Sequence, residues 1–289
     1  MLDIFDFEEH IIPMEKWVAG GVNWLVDNFR PQFQAVKWPV DKTLHGIDWV
    51  LQSVPPVIFL ILLFIIAWRL SGWKVGVFGV LTFLLAGYLG MWQETMTTLS
   101  MVISAVMFCV VVGIPAGIIA ARSDRFANSI RPILDAMQTT PAFVYLVPVV
   151  MLFSIGTVAG VIATIIFAMP PIIRLTNLGI RQVQSDVVEA AHAFGATDFQ
   201  ILWRVQFPLA LPTVMAGLNQ TIMMSLSMVV IAALIGAGGL GVPVFEGLNS
   251  LRVGLAFIGG LSIVLLAMVL DRITQALGEA RRTHTREDS

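Results

Sequence analysis

The chain has 289 residues, of which 57% are hydrophobic and 12% are charged, and its mean hydropathy is +0.85. A typical soluble domain is about 25% charged, so this chain has too few charged groups to cover a water-exposed surface. Its net charge of −2 lacks the basic footprint of a nucleic-acid-binding protein. Composition therefore predicts a membrane protein.

Residues 1–53 precede the first predicted span and contain eight acidic and four basic residues. The acidic start lacks the positive segment that begins a signal peptide. Trp17, Trp24, Trp38 and Trp49 favour one or two amphipathic helices lying at the membrane interface. An aromatic cage for a cation is the alternative interpretation of these tryptophans.

Charge-free stretches predict an all-α polytopic protein, because about 20 apolar residues cross a bilayer as a helix. Residues 136–173 are long enough for two crossings, with a turn at residues 154–157. The apolar surroundings of Cys109 favour a packed thiol over a disulfide or a metal ligand. We expect about seven transmembrane helices, drawn from residues 49–68, 75–93, 95–121, 136–173, 205–245 and 253–270.

Basic residues occupy alternate loops, and the loops between them carry little or no charge. The positive-inside rule then places the amino terminus outside and the carboxyl terminus in the cytoplasm. The basic residues on the predicted cytoplasmic side are Arg69, Lys74, Arg122, Arg125, Arg131, Arg174, Arg181, Arg204, Arg281, Arg282 and Arg286.

Residues 181–212 form a long polar loop on the predicted cytoplasmic side, and we expect two short helices in it. The first helix has Asp186 as its expected N-cap and Glu189 as the reciprocal partner. Gly195 stands where a left-handed residue would end this helix. A loop of two capped helices is longer than a simple connection needs, which favours a docking element.

The second helix of this loop begins at the capping-box sequence T-x-x-Q, which consists of Thr197 and Gln200. Pro208 and Pro212 mark the return of the chain into the bilayer. The small side chains of Ala190, Ala191 and Ala193 would let the backbone of another protein approach the first helix closely.

The same loop resembles the EAA motif of permeases in ABC-type importers. That motif reads E-A-A, three residues, G, nine residues, then an aliphatic residue, any residue, leucine and proline. Glu189, Ala190, Ala191, Gly195 and Pro208 match it, and Phe207 replaces the leucine. The segments "MQTTPAFVYLVP", "EAAHAFGAT" and "SMVVIAALIGAGGLG" are similar to the glycine betaine/proline betaine permease branch.

The resemblance covers roughly residues 95–280 and implies a type I ABC importer (MetI-like) permease fold. It implies that Glu189, Ala190, Ala191 and Gly195 form the helix that couples the permease to a cytoplasmic ATPase. It also implies a permease homodimer and an extracytoplasmic substrate-binding protein. The expected cargo is glycine betaine or a related osmolyte; choline, carnitine, proline, proline betaine and trimethylamine oxide remain alternatives.

We therefore expect a transport subunit rather than an enzyme. The chain has no G-x-x-x-x-G-K-[ST] sequence, so ATP and magnesium should bind to the partner ATPase, with no cofactor or metal on this chain. His10, His45, His192 and His284 all lie outside the predicted spans, and no hydrolase motif accompanies them. A stand-alone secondary carrier is the less favoured alternative, because neither inverted repeats nor mid-depth ionisable residues are evident.

Gly236, Gly238 and Gly241 spell the dinucleotide fingerprint G-x-G-x-x-G. They follow an apolar helical pattern rather than a strand, so we interpret them as a bend at the outer end of a span. Polar residues within spans are candidates for the translocation path, although such residues also join helices by hydrogen bonds. The candidates are Gln138, Thr139, Thr140, Asn219, Met223 and Ser227.

The expected organisation has four parts. Residues 1–53 form an extracytoplasmic amphipathic region, and residues 54–94 form the first two transmembrane helices. Residues 95–280 form the core permease domain with the loop 181–212, and residues 281–289 form a cytoplasmic tail.

Overall fold

The computed structural model describes residues 14–287, and it describes their side chains except those of Glu15, Arg30 and residues 277–287. Within this range the chain is helical and no strand is found. His10 lies outside the described residues, and the side chains of His284, Arg281, Arg282 and Arg286 are not described either. The helices are α1 (Met14–Ser53), α2 (Pro56–Ser71), α3 (Trp73–Tyr88), α4 (Trp92–Arg122), α5 (Asp124–Thr139), α6 (Ala142–Phe153), α7 (Thr157–Arg181), α8 (Ser185–Ala193), α9 (Asp198–Ile201), α10 (Phe207–Ala232), α11 (Gly241–Asn249) and α12 (Val253–Glu287).

The number of membrane crossings differs from the expected seven. Among the described residues, four helical segments are long and apolar enough to span a membrane: Trp92–Arg122, Thr157–Arg181, Asp198–Ile235 and Val253–Ala276. Two bent pairs of helices raise the number to six if each pair is one span, and α3 is a shorter apolar helix. The polytopic helical class is confirmed, but a count of seven is not.

Two predicted spans are interrupted at prolines. The stretch 49–68 breaks before Pro55, where the chain bends by 106° between α1 and α2. The stretch 136–153 breaks at Pro141, with a bend of 103° between α5 and α6. Proline removes a backbone donor and clashes with the preceding helical turn, so the expected continuous helix over residues 49–68 was wrong, whereas a break at Pro141 is consistent with the expected interruption of the fourth span. The helix α6 has 12 residues and is therefore only about 18 Å long.

The predicted turn at residues 154–157 is confirmed. Ser154 and Gly156 adopt positive φ angles of 73° and 127° between α6 and α7. The helix α7 then forms the centre of the bundle and packs against α4 and α10. Gly113 and Gly117 of α4 allow this contact, because a side chain at either position would collide with α7.

The glycine-rich segment follows α10 and a short 3₁₀ turn, Ala233–Ile235, rather than a strand. Gly236, Gly238 and Gly239 have φ angles of 70°, 77° and 73°, so the chain bends here before α11 begins at Gly241. The backbone N–H of Leu240 donates a 2.8 Å hydrogen bond to Thr98 Oγ1 at the start of α4. This geometry agrees with a bend at the end of a span and not with a dinucleotide-binding loop.

The amino-terminal region forms one helix, α1, whose second half packs against α4, α6 and α7. Val40 and Leu44 are buried in this contact, while Lys37 Nζ donates to the Phe153 carbonyl at 2.9 Å. Ser100 of α4 donates to Asp48 at 3.0 Å. The four tryptophans remain exposed, and because they lie about 20–40° apart around α1, they form one stripe rather than a cage.

These contacts define two ends of the bundle. One end contains the start of α4, the 154–157 turn and the glycine segment, and α1 lies against it. The other end contains the carboxyl ends of α4 and α7 together with α8 and α9. We call the second end the loop end, and it carries the candidate functional site.

Candidate functional site

The site is the polar loop between α7 and α10, and its first helix, α8, begins two residues earlier than expected. Gln184 is the N-cap and makes no side-chain capping bond. Asp186 lies inside the first turn, so its predicted N-cap role was wrong. A carboxylate at this position still stabilises the helix, because it faces the positive end of the helix dipole.

The end of α8 is confirmed at the predicted glycine. Gly195 has a φ of 80°, and its N–H donates to the His192 carbonyl at 2.9 Å. The N–H of Ala196 donates to the Ala191 carbonyl at 3.1 Å, which completes a Schellman motif. Because other residues adopt this conformation only with strain, Gly195 sets the angle at which the chain leaves α8.

The capping box that begins α9 is also confirmed. The Gln200 N–H donates to Thr197 Oγ1 at 3.4 Å, and the Thr197 N–H donates to Gln200 Oε1 at 2.9 Å. A single π-helical turn, Leu202–Gln206, joins α9 to α10, so that the Phe207 N–H donates to the Leu202 carbonyl. Pro208 follows directly after this turn, in the first turn of α10, where it removes one N–H from the hydrogen-bond ladder of the continuous segment.

Arginines at the ends of two helices organise the bundle beside this loop. Arg122, the last residue of α4, donates from Nη2 to the Asp198 carbonyl of the loop at 2.6 Å. Arg181, the last residue of α7, pairs with Asp124 at 2.7 Å and donates to the Ala120 carbonyl at 2.7 Å, which joins α7 to α5 and α4. The loop is therefore attached directly to the end of α4, and the ends of α4, α5 and α7 are joined to one another beside it.

The outward surface of α8 carries small and acidic side chains and lacks a partner within the part of the chain that the structure describes. No residue of α8 is buried. Ala190 and Ala193 are exposed, and Phe194 beside them is 93% exposed. Glu189 is exposed and makes no hydrogen bond or ion pair with any described residue. An exposed aromatic ring of this kind marks an interaction surface rather than a solvated loop.

A small polar cavity of about 290 Å³ lies beneath α8. His192 Nε2 lies 3.7 Å from Asp198 Oδ1 at its edge, and Arg122 lines it. The neighbouring aromatic side chains Phe199, Trp203 and Phe207 are stacked along one side of the continuous helical segment. Phe207, the single departure from the EAA pattern, thus packs against Trp203 with a ring separation of 5.2 Å.

The candidate path residues of α5 lie near its break with α6. Gln138 accepts a hydrogen bond from Arg174 of α7, and the same arginine pairs with Asp135 at 2.6 Å. Thr139 and Thr140 donate to carbonyls of their own helix. None of these contacts tests a role in translocation, so that role stays a prediction.

The polar residues of α10 point in three directions. Thr221 and Ser225 are buried in the bundle. Asn219 donates to Asp271 of α12 at 2.9 Å and accepts from Thr274 at 2.9 Å. Ser227 is exposed, and Met223 beside it is partly buried. Asn219 therefore joins two helices, whereas the face that contains Ser227 is free of such contacts among the described residues.

No cluster of histidine, cysteine or acidic residues in the described part of the chain could hold a metal ion. Cys109 is buried, and its Sγ lies 3.7 Å from the Ile165 carbonyl oxygen. The packing of this thiol against α7 agrees with the role expected from its surroundings.

Sequence reasoning did not identify the structural roles of Arg122 and Arg181. Their partners lie 76 and 61 residues away in the chain, so no local pattern indicates the pairing. The π-helical turn was also missed. Only Pro208 and Pro212, which weaken the regular hydrogen-bond ladder near it, could have suggested this turn.

The fold and the loop together define a class: a polytopic helical transport subunit that presents a coupling loop to another chain. Residues 113–283 match the protein family described as "binding-protein-dependent transport system inner membrane component". The chain belongs to this family, and it is a permease subunit of an ABC importer in a bacterial inner membrane. The predicted role as a transport subunit, with ATP hydrolysis on a separate chain, is confirmed by this membership.

Comparisons with individual proteins agree with the family. The chain is 53% identical to the glycine betaine/proline betaine permease ProW of Escherichia coli K12, over 96% of this chain and 78% of ProW. It is 44% identical to the glycine betaine permease OpuAB of Bacillus subtilis 168, over 91% of this chain and 94% of OpuAB. An inward-facing structure of the MetNI methionine ABC transporter matches with 25% identity and a TM-score of 0.54, over 64% of this chain and 92% of that one. The predicted MetI-like fold is confirmed.

Proposed function

We propose that two copies of this chain form the membrane pathway of an importer for glycine betaine or a related quaternary-ammonium osmolyte. The similarity to ProW over nearly the whole chain supports the proposed substrate, because ProW is named as a glycine betaine/proline betaine transport permease. Family membership disfavours a stand-alone carrier.

The loop end is the proposed docking site for the ATPase. Glu189, Ala190, Ala191 and Gly195 form the coupling surface, and Pro208 begins the span that transmits its movement. The exposed ring of Phe194 supports this assignment, because it would fill a cleft on a partner protein. ATP and magnesium bind to that partner, and the loop end therefore faces the cytoplasm.

The opposite end, where α1 lies, faces the outside in this proposal, together with the amino terminus. An extracytoplasmic binding protein delivers the solute there. ATP binding draws the two coupling helices together and opens the pathway outward, and hydrolysis restores the inward-facing state. The exposed tryptophan stripe of α1 supports a location of this helix at the membrane interface.

The substrate is tested by transport. The permease is reconstituted in liposomes with its ATPase and its binding protein, and uptake of labelled glycine betaine is measured with and without internal ATP. We expect ATP-dependent uptake that competes with proline betaine. Uptake that is absent with glycine betaine but present with choline, carnitine, proline or trimethylamine oxide would assign a different cargo.

The coupling role is tested with Glu189→Lys and Gly195→Pro. Both variants should insert into the membrane but lose uptake, because the first reverses the exposed charge and the second prevents the left-handed turn. The matched control is Glu94→Lys, which makes the same charge change in the first turn of α4, at the end of the bundle opposite the loop end. Normal uptake by either loop variant would contradict the coupling role.

A further inference from the structure

The exposed faces of the apolar helices differ in chemistry. Those of α2, α3, α4, α6 and α12 carry only apolar side chains along their middle sections. Examples are Ile61, Leu81, Val111, Val147 and Val264. Such faces suit lipid, because hydrocarbon cannot satisfy a polar group.

The helix α10 is the exception among the described spans. Gln220 and Ser227 are exposed on it, seven residues apart and therefore on one face, and Ala216 lies on the same face one turn before Gln220. Met223 and Met224 are partly buried beside them. We call these five residues the α10 stripe.

Gln220 lies deep in the span, so the surroundings of its amide strongly affect the free energy of the protein. It lies about 20 Å from the start of α10 and from the end of the following 3₁₀ turn, so it is near the middle of a 30 Å core. Its amide has no hydrogen-bond partner among the described residues. An amide exposed to hydrocarbon without a partner costs several kcal/mol, about 2–7. The α10 stripe therefore cannot face lipid.

We infer that the α10 stripe lines the aqueous translocation path and that Gln220 contacts the solute at mid-membrane. This inference rests on the proposed function, in which the equivalent stripe of a second copy closes the path. It also distinguishes Gln220 and Ser227 from Asn219, whose amide is engaged with Asp271 of α12. Among the four continuous spans that the structure describes, no other exposed face carries polar side chains along its middle section.

The chemistry of the stripe fits a small zwitterion. The Gln220 N–H groups donate to the solute carboxylate, and the methionine thioethers pack against its methyl groups. No residue of the stripe carries a formal charge, so neither end of the solute meets an opposite charge that would hold it. Weak contacts of this kind let the solute enter and leave the path.

Cysteine labelling tests the inference directly. In a Cys109→Ala background, Gln220→Cys in the complex with its ATPase should react with a small water-soluble thiol reagent. Met268→Cys, on the exposed apolar face of α12, is the matched control and should not react. Absence of labelling of Gln220→Cys both with and without ATP would overturn the inference, as would equal labelling of the two positions.

Transport provides the second measurement. Gln220→Leu should assemble with the ATPase but lose glycine betaine uptake about tenfold or more, because a hydrogen bond to a charged group is removed. Gln220→Asn, which keeps the amide, should retain more uptake, and Met268→Leu should retain all of it. Full uptake by Gln220→Leu would overturn the inference. Labelling of Gln220→Cys, together with a complex that has the natural Gln220 but takes up no glycine betaine, would refute the proposed substrate and leave the path assignment standing.

Discussion

Thr98, near the start of α4, holds the glycine segment against that helix through one hydrogen bond. Its side chain is fully buried, and its Oγ1 accepts the Leu240 N–H at 2.8 Å. Gly239 lies directly against the same oxygen and has a φ of 73°, so a side chain there would be both strained and obstructed. One hydroxyl therefore satisfies the backbone at the point where the chain leaves α10.

We predict that Thr98→Val destabilises the protein by about 1–3 kcal/mol, because the Leu240 N–H loses its acceptor in a buried site. Thr98→Ser keeps the hydroxyl and is the control, and it should lose much less. The thermal unfolding midpoint of the purified complex in detergent measures both. Equal midpoints for wild type and Thr98→Val would show that the bond does not stabilise the glycine segment.

At the scale of the helix, close contact between α4 and α7 depends on small residues. A side chain at Gly117 would lie 2.8 Å from the Ile173 carbonyl oxygen and would also meet Thr176. In contrast, Gly260 of α12 has no neighbouring atom within 4 Å of the position of an added side chain. The same glycine-to-alanine substitution can therefore be compared at a tightly packed position, Gly117, and at an open position, Gly260.

Gly117→Ala should lower the stability of the fold by about 1–3 kcal/mol, because the backbone of α7 must move to accept the methyl group. Gly260→Ala should be neutral or should stabilise α12 by up to about 1 kcal/mol, since alanine favours a helix. Unfolding of both variants is compared under the same conditions. A Gly117→Ala variant as stable as Gly260→Ala would mean that α4 and α7 are not tightly packed.

The sequence predicted those elements whose determinants are local. Gly195 and Thr197 were identified because a helix end and a capping box depend on residues within one turn. Asp186 was misassigned because Ser185 begins the helix without a side-chain cap, and the pattern cannot exclude this. The break at Pro55 was missed because proline in an apolar run is compatible with either a kinked span or a sharp bend.

The candidate site also combines residues that a local sequence motif identifies with residues whose roles depend on contacts across the fold. The coupling residues were readable from a motif, whereas the attachment of the loop by Arg122 depends on a contact across the fold. Asn219 and Gln220 are adjacent and chemically alike in the sequence. Only the packing of α12 against α10 shows that the first joins two helices and the second is exposed.

The two ends of the bundle have different roles in the whole protein, because the loop end is proposed to face the cytoplasm and to bind the ATPase. The unpartnered surface of α8, the attachment of the loop to α4 by Arg122, and the joining of α7 to α4 and α5 by Arg181 suit this end to receive force. The opposite end, where α1 lies against the start of α4, would then meet the binding protein. The orientation of the bundle therefore determines the role of each surface.

The most direct test is labelling of Ala193→Cys, which lies on the exposed surface of α8, in a Cys109→Ala background. A membrane-impermeant maleimide should label it in inverted vesicles and not in intact spheroplasts, and addition of the ATPase subunit should protect it. Labelling in intact spheroplasts, or labelling in inverted vesicles that the ATPase does not reduce, would contradict the account.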